Sequence, residues 1–277
     1  LGHKDRFIRY AARIAIENQP VGEWETKVLN AKNADTIITG AVALARSGHA
    51  ASRDALLNKL LSLDLAKLSE RQKLELSRAY ALAFIRMGEP ADKNLAKRLV
   101  ASLDSQYPAR SADLNRELSQ LLVFLKAPSV IDKTLAMMDT KVESTMLVDR
   151  EALDRNDGYG GTIKKVLANT PEIQNLHYAM TLRNLRYGWK LDQRKKYFEW
   201  YKDAATKSGG VSYGGFLKNF QKDALANAPA KERPSLEKLV GDASLAYKPA
   251  KPPAPKGPGQ LWELEETTKL IDSNMKG

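Results

Sequence analysis

Residues Ala43–Leu61 read ALARSGHAASRDALLNKLL: an alanine-rich apolar run, a break at Gly48, then a leucine-rich run. In DALLNKLL the leucines at 56, 57, 60 and 61 recur at the three- and four-residue intervals that gather side chains on one helix face. Glycine is the residue that most readily ends a helix, because it caps the C-terminus at little steric cost. The stretch therefore reads as two amphipathic helices joined by a few residues. The same plan returns at Ala81–Val100 (ALAFIRMGEPADKNLAKRLV) and at Leu121–Met138 (LLVFLKAPSVIDKTLAMM). A helix pair recurring at roughly 30–40 residues marks units that cannot bury their apolar faces alone and stack on one another.

The flanking sequence carries the plan further. DRFIRYAARIAIENQ, from Asp5, predicts a helix with Phe7, Ala11, Ile14 and Ala15 on one apolar face. Ile8 and Ala12 lie beside that face, and Arg6, Arg9 and Arg13 fall on a neighbouring, wetter one. Pro20 and Gly22 interrupt the run, and EWETKVLN makes a shorter helix. Asp35 is the expected N-cap of TIITGAVALARSG, Ser69 that of ERQKLELSRAYALAFIRMG, and Ser111 that of ADLNRELSQLLVFLKAP. The stripe of the second of these is expected at Leu74, Ala81, Leu82 and Ile85. The expected fold is all-α: a HEAT-like α-solenoid (an α-α superhelix of stacked helix pairs) over residues 1–150, then an aromatic-rich C-terminal helical subdomain over 151–243. A proline-rich linker is expected over 244–260 and a short helix over 261–277.

Composition narrows the chemistry. Hydrophobic residues make up 43% and charged residues 28% of 277 positions, which suits a folded domain. There is no cysteine, so disulfides, thiolate metal sites, cysteine nucleophiles and covalent haem attachment are excluded within these residues. No apolar run approaches the roughly 18 residues of a membrane span. The chain opens at Leu1 without a signal-like segment and reads as a processed or excised piece. The formal charge of +11 is shared between residues 1–150 and the remainder, which favours a general solvating role. Nucleic acid, anionic lipid surfaces and acidic partners are the binding classes such a charge admits.

Candidate sites are few. The three histidines, His3, His49 and His177, have no carboxylate spacing that would complete a metal pair. Asp154, Asn156 and Gly160 hint at a calcium loop, but the spacing and the terminal glutamate are missing, and a plain loop is the better reading. SGGVSYGG, Ser208–Gly215, lacks the G-K-[ST] of a phosphate loop and reads as a tight turn where the helix end at Lys207 meets Tyr213 and Phe216. One run stands out, because Tyr187, Trp189, Tyr197, Phe198, Trp200 and Tyr201 interleave with Arg183, Arg186, Lys190, Arg194, Lys195, Lys196 and Lys202. Such a mixture can stack and neutralise single-stranded nucleic acid. At helical spacing it also makes an ordinary aromatic core with a basic outer face, which is the favoured reading. Arg183, Arg186, Lys190, Arg194, Lys195, Lys196, Trp189 and Trp200 are the candidate partner-docking residues; no catalytic, cofactor or metal residue is assigned.

Three segments carry a family resemblance: Asp5–Glu17 (DRFIRYAARIAIE), His177–Leu225 with its GW-x-x-x-QR-x-x-YF-x-W element, and Lys256–Ile271 (KGPGQLWELEETTKLI). Together they resemble the helical, HEAT-like region of large multidomain haem-binding proteins of environmental bacteria. There a propeller-type, membrane-bound or sugar-dehydrogenase-like domain comes first, and a C-terminal c-type cytochrome module carries a CxxCH haem attachment. The resemblance implies a non-catalytic scaffold that positions an oxidoreductase domain and a c-type cytochrome module in a larger electron-transfer protein. It implies an extracytoplasmic, periplasmic location and partners among neighbouring domains of the same polypeptide; the basic surface adds an acidic electron-transfer partner. The chain has no CxxCH, so it is expected to hold no cofactor itself, haem c belonging to a downstream module. The alternatives are a basic HEAT-like module that binds nucleic acid, which is disfavoured, and a peptide-binding solenoid.

Overall fold

The computed structural model describes residues 1–140, 169–210, 212–240 and 263–272. The chain divides into two compact units, Leu1–Ala246 and Tyr247–Gly277. The described residues contain thirteen α-helices and no strand. In the first unit these are α1 (Arg6–Glu17), α2 (Glu25–Leu29), α3 (Ala34–Ser47), α4 (Arg53–Leu61), α5 (Glu70–Met87), α6 (Lys93–Asp104), α7 (Ala112–Phe124) and α8 (Val130–Asp139). After residues 141–168 come α9 (Ile173–Leu182), α10 (Leu191–Ala205), α11 (Tyr213–Asn227) and α12 (Arg233–Val240). In the second unit α13 (Leu264–Asp272) is described, a short helix with Glu265 and Glu266 in its first turn. The calcium-loop positions 154–160 and the linker 244–260 lie outside the described residues.

Short polar side chains set where the helices start. Asp5 accepts from the Phe7 amide at 2.7 Å, and Ser111 accepts from the Leu114 amide. Ser69 and Gln72 form a reciprocal capping box at the head of α5. Gly88 ends α5 at φ 89°. One cap differs from expectation. Asn33, not Asp35, caps α3, accepting from Thr36, while Asp35 sits in the first turn and pairs with Arg71 at 2.8 Å. Both residue types can cap, and the extended backbone at Asn33 decides between them.

The helices pack in alternation. α1 lies on α3, α3 on α5, α5 on α7, and α7 on α9. On the other side α2 meets α4, α4 meets α6, and α8 meets α10. Helices α3, α5 and α7 begin about 40 residues apart, the spacing of the recurring hairpins. Leu44, Leu56, Leu57, Leu60, Leu95 and Leu99 lie between the layers and are fully inaccessible. Each such burial contributes about 1.5–3 kcal/mol. Gly40 lets α2 approach α3 closely, for a Cβ there would stand 2.7 Å from Val28 Cγ1. Residues beyond 168 are clamped to α7 and α8 by polar side chains. Gln174 accepts from Arg116 Nε at 2.8 Å and donates to the Ala112 carbonyl at 3.0 Å, and Asn175 donates to the Met138 carbonyl at 3.1 Å.

Two helix faces turn differently from the periodicity reading. In α5 the buried stripe is Leu76, Ala79, Tyr80, Ala83, Phe84 and Met87, while Ile85 is 78% exposed. The helix is covered by α3, α4 and α7, and the expected stripe of Leu74, Ala81 and Leu82 occupies its half-buried side. In α1 the reversal is larger. Phe7 is 68% and Tyr10 59% exposed, whereas Arg9 is buried. The Arg9 guanidinium donates to the His3 and Lys4 carbonyls and pairs with Glu75 at 2.9 Å, so its charge is fully partnered inside.

Candidate functional site

The aromatic and basic run after residue 182 folds into a packed core. In α10, Tyr197, Phe198 and Tyr201 are fully buried, with ring centroids 5.3–6.1 Å apart. Tyr197 Oη donates to the Ala179 carbonyl at 2.7 Å and accepts from Tyr201 Oη at 2.7 Å. Burial, first of all, pushes the Tyr197 and Tyr201 hydroxyls well above the usual tyrosine range, so both stay protonated donors. Tyr213 of α11 donates to the Ala204 carbonyl at 2.8 Å. The glycine pair before it is required: a Cβ on Gly209 would meet the Tyr213 ring at 2.3 Å, and Gly210 has φ 86°.

Four of the eight docking candidates, Arg183, Trp189, Arg194 and Trp200, pack into this core. Arg194 is buried, contacts Glu232 at 3.1 Å, donates to the Arg186 carbonyl at 2.9 Å, and lies 5.2 Å from the Trp189 ring centre. Trp189 donates to the Leu185 carbonyl at 2.9 Å and packs on Tyr197. Trp200 packs edge-on against Tyr201, half-buried. Arg183 pairs with Asp223 at 3.2 Å and covers the Phe220 ring. Arg186 donates to Asn227 Oδ1 at 3.0 Å, Lys195 lies 3.9 Å from Asp192, and Lys196 pairs with Asp139 of α8. The Lys190 backbone amide donates to Gln193 at the head of α10, and its side chain is exposed. These residues share one region: Arg194, Arg183, Trp189 and Trp200 are buried or half-buried in it, and Arg186, Lys190 and Lys196 are exposed at its surface.

Two of the three histidines make hydrogen bonds within the fold. His177 of α9 is half-buried against α7, its Nε2 3.1 Å from Gln120 Nε2 and 3.2 Å from the Arg116 carbonyl. Burial is the main cause that lowers its pKa below the ordinary imidazole value. His3 Nδ1 accepts from the Asp5 amide at 3.0 Å. Among the described residues no three His, Cys, Asp or Glu side chains stand together as metal ligands. None of the helices described there is long and apolar enough to cross a membrane.

The open feature lies at the other end of the unit, and periodicity did not point to it. A groove of about 590 Å³ runs between α1 and α5 over α3. Its walls are Arg6, Phe7, Arg9, Tyr10 and Arg13 on α1 and Leu74, Glu75 and Arg78 on α5, and its floor is Ile38, Thr39 and Val42. On α3 that floor is turned away from Gly40, the residue set against α2. Arg6 stacks on the Phe7 ring at 4.6 Å and Arg13 on the Tyr10 ring at 5.0 Å. Arg13 also pairs with Glu17, and Arg78, 69% exposed, reaches Glu117 at 3.4 Å. Arg9 and Arg71 both hold Glu75, so the one acid in the groove is already neutralised. The arrangement offers an apolar floor, two exposed aromatic rings and an arginine rim. The chain matches no family model, no curated protein and no solved structure.

Proposed function

We propose that this chain is a non-catalytic docking scaffold, a HEAT-like α-solenoid whose stacked helices present a recognition groove. Support for the solenoid comes from the alternating contacts of α1, α3, α5, α7 and α9 in one layer with α2, α4 and α6 in the other. The observation that carries the docking role is the groove itself, where Phe7 and Tyr10 of α1 stand more than half exposed. Solvent-facing aromatics beside an apolar concavity mark interaction sites. The resemblance of Asp5–Glu17, His177–Leu225 and Lys256–Ile271 supplies the setting: spacing an oxidoreductase domain from a c-type cytochrome module outside the cytoplasm, with no cofactor in this chain. The test is deletion of residues 1–240 from the polypeptide that carries them, with stopped-flow measurement of electron transfer to haem. A loss of tenfold or more is expected; an unchanged rate overturns the positioning role.

A further inference from the structure

Resting on that docking reading, we infer that the α1–α3–α5 groove takes an acidic amphipathic helix from a partner protein. The shape argument comes first. Arg6, Phe7, Tyr10 and Arg13 run down α1 at helical spacing; Ile38 and Val42 do so on α3, and Leu74 and Arg78 on α5. Three such stripes around a trough form the complement of a fourth helix laid along it, the mode in which apolar anchors at i, i+3, i+4 and i+7 enter a groove. The floor of Ile38, Val42 and Leu74 accepts leucine-sized anchors, and Phe7 and Tyr10 close over them.

Charge then selects the partner. Of the four arginines lining the groove, Arg9 is committed to Glu75 and Arg13 to Glu17, which leaves Arg6 and the 69%-exposed Arg78 to face an incoming chain. Arg6 and Arg78 stand on opposite walls, where they meet carboxylates flanking an apolar stripe. Like-charged lysines on the incoming helix would meet the same arginines unfavourably, so the rim discriminates as well as attracts. A nucleic-acid strand fits less well, since it would lay phosphates over an apolar floor. A flat lipid surface does not reach a floor recessed between helices.

The experiment uses the whole chain and a fluorescein-labelled designed peptide, Leu at i, i+3, i+4 and i+7 with Glu elsewhere, read by fluorescence anisotropy. The same peptide with Lys for Glu is the control. The acidic peptide is expected to bind at least tenfold tighter than the lysine peptide. Arg6→Glu with Arg78→Glu, and separately Phe7→Ala with Tyr10→Ala, are each expected to weaken it at least tenfold without moving the thermal midpoint. Lys218→Glu, at an exposed position of α11 that does not line the groove, leaves binding unchanged. Equal binding of both peptides, undiminished binding by the groove variants, or binding of single-stranded RNA or phosphatidylserine vesicles in place of the acidic peptide overturns the inference. If the peptide fails while the deletion above still slows electron transfer, the scaffold stands and the occupant is wrong.

Discussion

Replacing Glu232 by Gln tests the most buried ion pair among the described residues of the C-terminal helices. Arg194 and Glu232 are 6% and 16% exposed with nitrogen and oxygen 3.1 Å apart. The pair is attracted but not aligned as a hydrogen bond, since Arg194 Nε and Glu232 Oε2 lack that geometry. Burial lowers the pKa of Arg194, with Glu232 opposing, so the carboxylate is what keeps the charge tolerable there. Removing one member of such a pair costs about 3–5 kcal/mol. The low end applies, at about 3 kcal/mol, because Arg194 keeps the Arg186 carbonyl and the face of Trp189. For a unit of this size that is a drop of roughly 6–12 °C in thermal midpoint. Urea unfolding followed by circular dichroism measures it directly. The Arg194→Met, Glu232→Leu double variant should return to within about 1 kcal/mol of the parent, since a matched apolar pair avoids the desolvation cost. A Glu232→Gln cost below about 0.5 kcal/mol, or a double variant no better than the single, refutes the reasoning.

Leu57→Ala, at a fully inaccessible site in α4, should cost about 2–5 kcal/mol in the same unfolding assay. Gly209→Ala places a Cβ 2.3 Å from the Tyr213 ring, and the overpacking should cost about 1–3 kcal/mol, seen as a lower urea midpoint. His177 has a folded pKa depressed by burial, so its contribution is complete above the unfolded value of about 6.5 and is lost as pH falls below it. Urea midpoints taken on both sides of that value should decline on the acid side, and His177→Gln should reduce the decline.

Helix existence was legible along most of the chain because each helix carries its own boundary chemistry. Ser69, Ser111, Gly48 and Gly88 act on residues within a turn of themselves, so a linear sequence displays them fully. Helix orientation was not legible where two stripes compete. In α1, Phe7, Ala11 and Ile14 make one apolar face while Arg9, Ala12 and Ile16 make another, and the periodicity favours the first. The choice is made by Glu75, 66 positions away, which with the His3 and Lys4 carbonyls gives Arg9 a complete set of partners. Which candidate docking residues are held by partners was not legible either: Arg194 is answered by Glu232 and Lys196 by Asp139, pairings set by the packing of helices rather than by spacing, while Arg186 and Lys190 stay exposed. The signal that could have raised the groove was already present as the repeated arginine–aromatic neighbours Arg6–Phe7 and Arg9–Tyr10, residue types enriched at interfaces.

The orientation of α1 underlies both the groove and its proposed occupant, and the cysteine-free sequence makes it directly measurable. Single cysteines introduced one at a time at Phe7, Tyr10, Ala12 and Ile16 can be timed against a maleimide reagent in the folded chain. Fast labelling at positions 7 and 10, slow labelling at 12 and 16, and slowing at 7 and 10 when the acidic peptide is added are the predicted results. Protection at Phe7 and Tyr10 in the free chain, with open positions at 12 and 16, would contradict it.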